Sequence, residues 1–114
     1  MRRAIPDDVE TFIGHHISSV EQLDILLLLR QTAGRSWSAA EVARHLRRNP
    51  DSVARRLEQL WSSSLVASEP RGYRYEPATD DLGRDVDELA DVYARRRHTV
   101  ITAIFSDRDG PAGS

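Results

Sequence analysis

The segment from Trp37 to Pro77 constrains the fold of this 114-residue chain more than any other. Ser38 precedes an apolar run and has Glu41 three residues later, which is the capping-box spacing at the start of a helix. Asn49 and Pro50 begin a second helix, because asparagine caps a helix and proline suits its first position. The tripeptide Pro-Arg-Gly then separates two short runs that are typical of strands. The segment therefore predicts two short helices, joined by a tight turn and followed by a β-hairpin.

Apolar stripes predict further helices on both sides of this segment. An N-terminal helix begins at Pro6, and a largely buried central helix, capped at Ser18 or Ser19, is stopped by Gly34. After the hairpin, a stripe of apolar residues at steps of three and four predicts one long helix over about residues 80–105. Within the central segment, the predicted elements are helices at 39–46 and 50–63, a turn at 47–48 and strands at 65–67 and 73–75.

This order of elements is the layout of a winged helix-turn-helix. The predicted fold class is mainly α with a small β-hairpin wing, flanked by an N-terminal helix and a long C-terminal helix. We expect residues 1–106 to form this domain. Residues 107–114 are rich in glycine, proline and charge, and we expect them to be a disordered tail.

Composition excludes several classes of function. The chain has no cysteine, so disulfides, thiolate nucleophiles and cysteine zinc sites are excluded. No apolar run approaches the roughly 20 residues of a membrane span, and the first residues lack the apolar part of a secretory signal, so we expect a cytoplasmic protein. His15 and His16 are neighbours that point about 100° apart on a helix, which disfavours a shared metal ion. No phosphate-binding or nucleophile motif occurs, so we expect neither enzymatic activity nor a cofactor.

The charge of the chain is unevenly distributed. The formal net charge is −2, but residues 35–74 contain eight arginines against four acidic residues, a net charge of +4, which leaves −6 for the rest. A basic centre with acidic flanks favours binding to DNA through one face. Solvated helix faces of mixed charge would give the same distribution. All 16 basic residues are arginine, which suits bidentate contacts to phosphate or guanine, although a GC-rich genome explains it as well.

The second helix of the central segment has two distinct sides. On a helical wheel, Val53, Leu57 and Leu60 cluster on the side that holds the helix on the core, with Trp61 at the edge of that cluster. In a helix-turn-helix the opposite arc enters the major groove. That arc carries Asp51, Ser52, Arg55, Gln59 and Ser62.

Chemistry suggests a role for each polar residue near this arc. Arg55 is suited to guanine N7 and O6, and Gln59 to adenine N6 and N7. Ser52 is placed for base or phosphate, and Arg56, on the flank, for phosphate. The candidate residues for binding double-stranded DNA are Arg44, Arg47 and Arg48 around the turn, Ser52, Arg55, Arg56 and Gln59 on the helix, and Arg71 and Arg74 on the hairpin. An exposed polar helix face remains the alternative interpretation.

One pattern in the central segment resembles a known family. The residues that carry the resemblance are Trp37-Ser38-Ala39-Ala40-Glu41-Val42-Ala43, Leu46, Ser52-Val53, Leu57, Leu60 and Leu65-Val66. They resemble the supporting and recognition helices of bacterial winged helix-turn-helix regulators of the MarR type. The resemblance implies a transcription factor that acts as a homodimer, with one recognition helix and one wing on each half-site. It maps Ser52, Arg55, Arg56 and Gln59 onto recognition positions and Arg71 onto the wing tip. Ser64 stands where a glycine is usual in that family.

The apolar stripes of the terminal helices must be buried somewhere. One option is a homodimer through both terminal helices. The other is a compact monomer in which the long helix bends or folds back. The candidate dimerisation residues are Phe12, Ile13, Leu82, Val86, Leu89, Tyr93, Val100 and Ile104.

The sequence leaves two functions open. The first is a dimeric DNA-binding transcriptional regulator. The alternative is a winged-helix protein–protein interaction module, an adaptor or anti-factor that does not bind DNA itself. The net negative charge, Glu58 on the recognition helix and the short wing favour the alternative.

Overall fold

Helices dominate the molecule, and one small antiparallel sheet lies among them. The structure is a computed structural model that describes residues 6–109, with side chains up to residue 105. Its elements are α1 (Asp7–His16), α2 (Val20–Gln31), α3 (Ala39–Leu46), α4 (Pro50–Ser62), β1 (Val66–Glu69), β2 (Gly72–Tyr75), α5 (Asp80–Arg95) and α6 (Arg97–Asp109). The prediction of a mainly α fold with a β-hairpin is confirmed. No helix of the described chain is long and apolar enough to cross a membrane.

Side-chain caps fix the beginnings of the central helices. The Ser38 hydroxyl accepts from the Glu41 backbone N–H at 3.1 Å, and the Glu41 carboxylate accepts from the Ser38 backbone N–H at 2.9 Å. This is the predicted capping box. Asn49 caps α4 by accepting from two backbone N–H groups, and Ser19 is the residue that caps α2. Local side-chain chemistry therefore sets where each of these helices begins.

The hairpin is tied to the chain that leads into α3. β1 and β2 pair in antiparallel register, with Glu69 opposite Gly72. Trp37 and Tyr73 exchange two backbone hydrogen bonds of 2.8 Å, which adds a third chain segment to the edge of the hairpin. Gly72 has φ +149°, and a Cβ there would lie 2.0 Å from the Trp37 carbonyl oxygen. Glycine is thus required for this close approach of two backbones.

The prediction of one long C-terminal helix is wrong, because this part of the chain forms two helices. α5 ends at Arg95, Arg96 has non-helical angles of φ −137° and ψ 56°, and α6 begins at Arg97. The break falls where charged residues interrupt the apolar stripe, and it allows both α5 and α6 to pack against α1. α6 continues to Asp109, so residues 107–109 are helical rather than part of a disordered tail. Residues 110–114 of the predicted tail lie outside the described residues.

A single hydrophobic core joins the terminal helices to the central segment. The residues predicted to form a dimer interface belong to it. Phe12, Ile13, Val86, Leu89, Tyr93, Val100 and Ile104 are buried within one chain, and Leu82 is half-buried. These side chains are therefore buried within the single chain, as the fold-back alternative requires, and their role in dimerisation stays a prediction. Each of the fully buried aliphatic side chains in this set contributes roughly 1.5–3 kcal/mol through burial within the chain.

Candidate nucleic-acid interface

α4 turns one apolar side to the core and one polar side outward. Val53, Leu57 and Leu60 are fully buried, whereas Arg55 and Gln59 are exposed. This division agrees with the helical wheel. Trp61, predicted at the edge of the apolar cluster, is 52 % exposed.

Ser52 and Arg56 do not lie on the outward arc. Both contact Glu21 of α2: the Ser52 hydroxyl donates to its Oε1, and Arg56 Nε donates to the same oxygen at 3.2 Å. Arg56 Nη1 also donates to Gln59 Oε1 at 3.3 Å. The prediction that Ser52 faces outward is therefore wrong, because α2 packs against this side of α4 and holds the hydroxyl.

The Glu21 carboxylate is stabilised in its charged form. Burial raises the pKa of this carboxyl, but the hydrogen bonds from Ser52 and Arg56 and the charges of Arg56 and Arg48 lower it more. The net result is a pKa below the ordinary value. Glu21 therefore accepts hydrogen bonds as an anion at neutral pH.

The turn between α3 and α4 presents arginines in two different settings. Arg47 ends α3 with a left-handed φ of 58° and is exposed. Arg48 Nη2 lies 3.6 Å from Asp24 Oδ2, and Asp24 also accepts from the Tyr93 hydroxyl at 3.3 Å. Arg48 is therefore tied to α2, and through Asp24 to α5, whereas Arg47 extends into solvent.

The hairpin shows the same contrast. Arg74 forms ion pairs with Glu69 at 2.8 Å and Glu76 at 2.6 Å. Arg71 is exposed in the turn between β1 and β2. The two flanking carboxylates neutralise Arg74, so Arg71 is the hairpin arginine that remains available to a ligand.

The nine candidate residues thus divide into two sets. Ser52, Gln59, Arg48, Arg56 and Arg74 are engaged within the protein. Arg44, Arg47, Arg55 and Arg71 are exposed and form no hydrogen bond or ion pair within the described part of the chain. We call these four residues the unpaired arginines.

Sequence reasoning missed two residues near the candidate interface. Arg35 was counted as a charge, but its guanidinium lies 3.7 Å from the centre of the Trp37 ring, a cation–π contact beside α3. The hydrogen bond from the Ser38 backbone lowers the pKa of the Glu41 carboxyl, and the charges of Arg35 and Arg44 lower it further against the opposing effect of burial. Glu21 lies three residues after Ser18, and from the sequence alone this spacing suggests only a capping-box role. The contacts of Glu21 have no sequence signal because they depend on tertiary packing, whereas Arg35 and Trp37 are only two residues apart in the sequence.

A groove of about 660 Å³ lies between α1 and the C-terminal half of α4. Its lining includes His15, His16, Glu58 and Trp61. Burial lowers the pKa of His16, His15 lowers it further, and Asp85 opposes both. Among the described residues, no three His, Asp or Glu side chains come together as metal ligands.

Comparison with known proteins found no matching family model, no matching curated protein and no matching solved structure. The resemblance to MarR-type regulators therefore stays a prediction.

Proposed function

We propose that this protein is a DNA-binding transcriptional regulator with a winged helix-turn-helix. In this proposal α3 supports α4, α4 enters the major groove, and the β1–β2 hairpin is the wing. The observation that carries it is the distribution of the unpaired arginines. They lie on α3, on the turn, on the outward side of α4 and at the hairpin tip, which are the surfaces that such a fold presents to DNA.

Each unpaired arginine has a distinct role in the proposed complex. Arg55 lies on the outward side of α4 and is the candidate for bidentate contact with guanine N7 and O6. Arg44 and Arg47 flank the start of α4 and are candidates for phosphate contacts, which supply affinity and little specificity. Arg71 is the candidate for the minor groove beside the wing. Arg74, held between two carboxylates, has no role in this version of the interface.

The proposal includes a homodimer that binds two half-sites, and its interface uses exposed residues in place of the buried apolar stripe of the terminal helices. A second copy must pack on residues that the single chain leaves exposed. Among the described side chains of the terminal helices, Phe105 on α6 is the large apolar residue that is exposed, at 50 %.

DNA binding is tested with fluorescence anisotropy of a labelled random-sequence duplex at low salt, followed by selection of preferred sequences. Arg55→Ala should weaken binding to the selected duplex by about 1–3 kcal/mol and relax specificity at one base pair. Arg95→Ala is the matched control, because it removes an arginine from α5 that is paired with Asp91. Its affinity should stay at the wild-type value. A wild-type protein that binds no duplex at low salt contradicts the proposal.

One observation favours a second candidate function, a protein-interaction module. Trp61 and Glu58 lie beside each other on the rim of the α1–α4 groove, and an exposed tryptophan is the kind of residue that anchors a protein partner. Salt separates the two functions, because DNA binding weakens steeply as salt rises. No DNA binding at low salt, together with a partner whose binding is lost in Trp61→Ala, would establish the module instead.

A further inference from the structure

We propose that Glu21 is a positioning residue that competes with DNA phosphate for Arg56, so that α4 presents Arg55 and withholds Arg56. This inference rests on the proposed DNA-binding function. In this inference Glu21, an acidic residue on α2, determines which arginine of α4 is available to DNA.

The geometry places Glu21 between two side chains of α4. A single oxygen, Oε1, accepts from both the Ser52 hydroxyl and Arg56 Nε. The Glu21 side chain is 14 % exposed and that of Arg56 is 27 % exposed, so water screens this pair less than the exposed pairs of the molecule. Gln59 receives a further hydrogen bond from Arg56. The guanidinium is therefore held at two points along the surface of the protein.

The neighbouring pair on α2 is looser. Asp24 lies three residues after Glu21, and its carboxylate is 3.6 Å from Arg48. The Arg48 side chain is 44 % exposed, and exposed pairs contribute little. DNA can therefore take Arg48 from Asp24 at small cost, whereas taking Arg56 requires breaking its contacts with both Glu21 and Gln59. Glu21 is thus the acidic residue on α2 whose removal should matter.

The physical consequence appears in the salt dependence of binding. A guanidinium that pairs with a carboxylate releases no condensed counterions from DNA, whereas one that contacts a phosphate does. Glu21→Gln keeps an acceptor for Ser52 and removes the charge that holds Arg56. Freed Arg56, on the flank of α4, then adds one phosphate contact. Affinity for duplexes of any sequence rises, and specificity falls.

The experiment measures the association constant for one random-sequence duplex between 50 and 200 mM salt. Glu21→Gln should steepen the logarithmic salt slope by about 0.9, so the affinity gain over wild type is about 3.5-fold larger at 50 mM than at 200 mM. Glu88→Gln is the charge-matched control, because Glu88 is exposed on α5 and forms no ion pair within the described residues. It should leave the slope unchanged. In an Arg56→Gln background, Glu21→Gln should no longer change the slope.

A residue that only stabilises the fold would give a different result. Circular dichroism checks that each variant is folded, and hydrogen exchange of the Arg56 Nε–H by NMR reports the contact without DNA. Exchange should accelerate in Glu21→Gln for Arg56 and stay constant for Arg55. Unchanged exchange at Arg56 overturns the inference.

The outcomes separate this inference from the proposed function. If wild type binds DNA through Arg55 but Glu21→Gln leaves the slope unchanged or makes it shallower, the inference is overturned and the function stands. If neither wild type nor Glu21→Gln binds a duplex at 50 mM salt, both are overturned.

Discussion

The central segment, from α3 to β2, and the C-terminal helices, α5 and α6, both carry arginines, but in different settings. On α5, Arg84 and Arg95 each pair with an aspartate of the same helix. Arg97, at the start of α6, lies 4.8 Å from the centre of the Tyr93 ring. The central segment instead contains the four unpaired arginines. Among the described side chains of the C-terminal helices and their junction, three arginines therefore have a partner within the chain and Arg96 has none, whereas the central segment leaves four arginines available.

This difference shows that the net charge of a chain does not indicate which of its charged side chains are available to a ligand. The net charge of −2 suggests no affinity for a polyanion, yet the acidic surplus lies outside the segment of the chain that carries the unpaired arginines. α5 alone carries Asp80, Asp81, Asp85, Asp87, Glu88 and Asp91. A molecule with its charges separated in this way can approach DNA with one side and keep the other in solvent.

The substitution with the largest expected effect on stability tests whether the terminal helices belong to the same folded unit as the central segment. Ile104 is fully buried on α6, so Ile104→Ala should lower the free energy of unfolding by about 2–5 kcal/mol. Urea denaturation measures this change. The loss should be the same at low and at high protein concentration, because the chain buries Ile104 by itself.

Phe105→Ala is the control for that experiment, since Phe105 lies on the same helix and is 50 % exposed. Its effect on stability should be small. A loss at Ile104 that changes with protein concentration would instead mean that a second copy helps to bury Ile104, and the contrast between centre and termini would then need a dimer to explain it.

The parts of the fold that follow from local chemistry were predictable from the sequence. The capping box at Ser38, the cap at Asn49 with Pro50, and the buried side of α4 each depend on residues within one helix. The break at Arg96 was missed, because the apolar stripe resumes in the same helical phase at Val100 after the interruption by Arg96 and Arg97. The contacts of Glu21 with Ser52 and Arg56 were also missed, because 31 and 35 residues separate the partners. Tertiary packing therefore determines which of the candidate residues remain available.

The next largest effect on stability concerns the backbone conformation at the turn that ends a helix in each region. The C-terminal helices turn at Arg96 with an ordinary negative φ, whereas the central segment turns after α4 through Ser64 with a left-handed φ of 65°. Ser64 is exposed, and its backbone bonds to Trp61 and Ala78 hold it in this conformation. A non-glycine residue there costs about 1–2 kcal/mol. Ser64→Gly should therefore raise the free energy of unfolding by up to about 1 kcal/mol, measured by thermal denaturation.

Ala54→Gly is the control, and it should lower the free energy of unfolding instead of raising it. Ala54 is exposed in the middle of α4, where glycine is about 1 kcal/mol less favourable than alanine. If both glycine variants lose stability, the left-handed conformation at Ser64 carries no strain, and the two chain reversals are equivalent in this respect.

The smallest effect separates the two regions by their response to acid. His16 ends α1 on the terminal side, and its pKa is lowered by burial first and by His15 second, against the effect of Asp85. A histidine with a lowered folded pKa contributes stability that is complete above its unfolded pKa of about 6.5 and is lost as the pH falls through the folded pKa. The pKa of Glu21, beside the central segment, is also lowered, so its contribution is lost only below about pH 4.3. Between pH 7 and 5 the loss of stability should therefore come from His16 at the end of α1.

Thermal unfolding at pH 7, 6 and 5 measures this loss. The Tm should fall with pH in wild type and in His98→Gln, whose histidine is exposed on α6, and should fall less in His16→Gln. An equal fall in all three proteins would assign the acid sensitivity to groups other than His16 and remove this distinction between the regions.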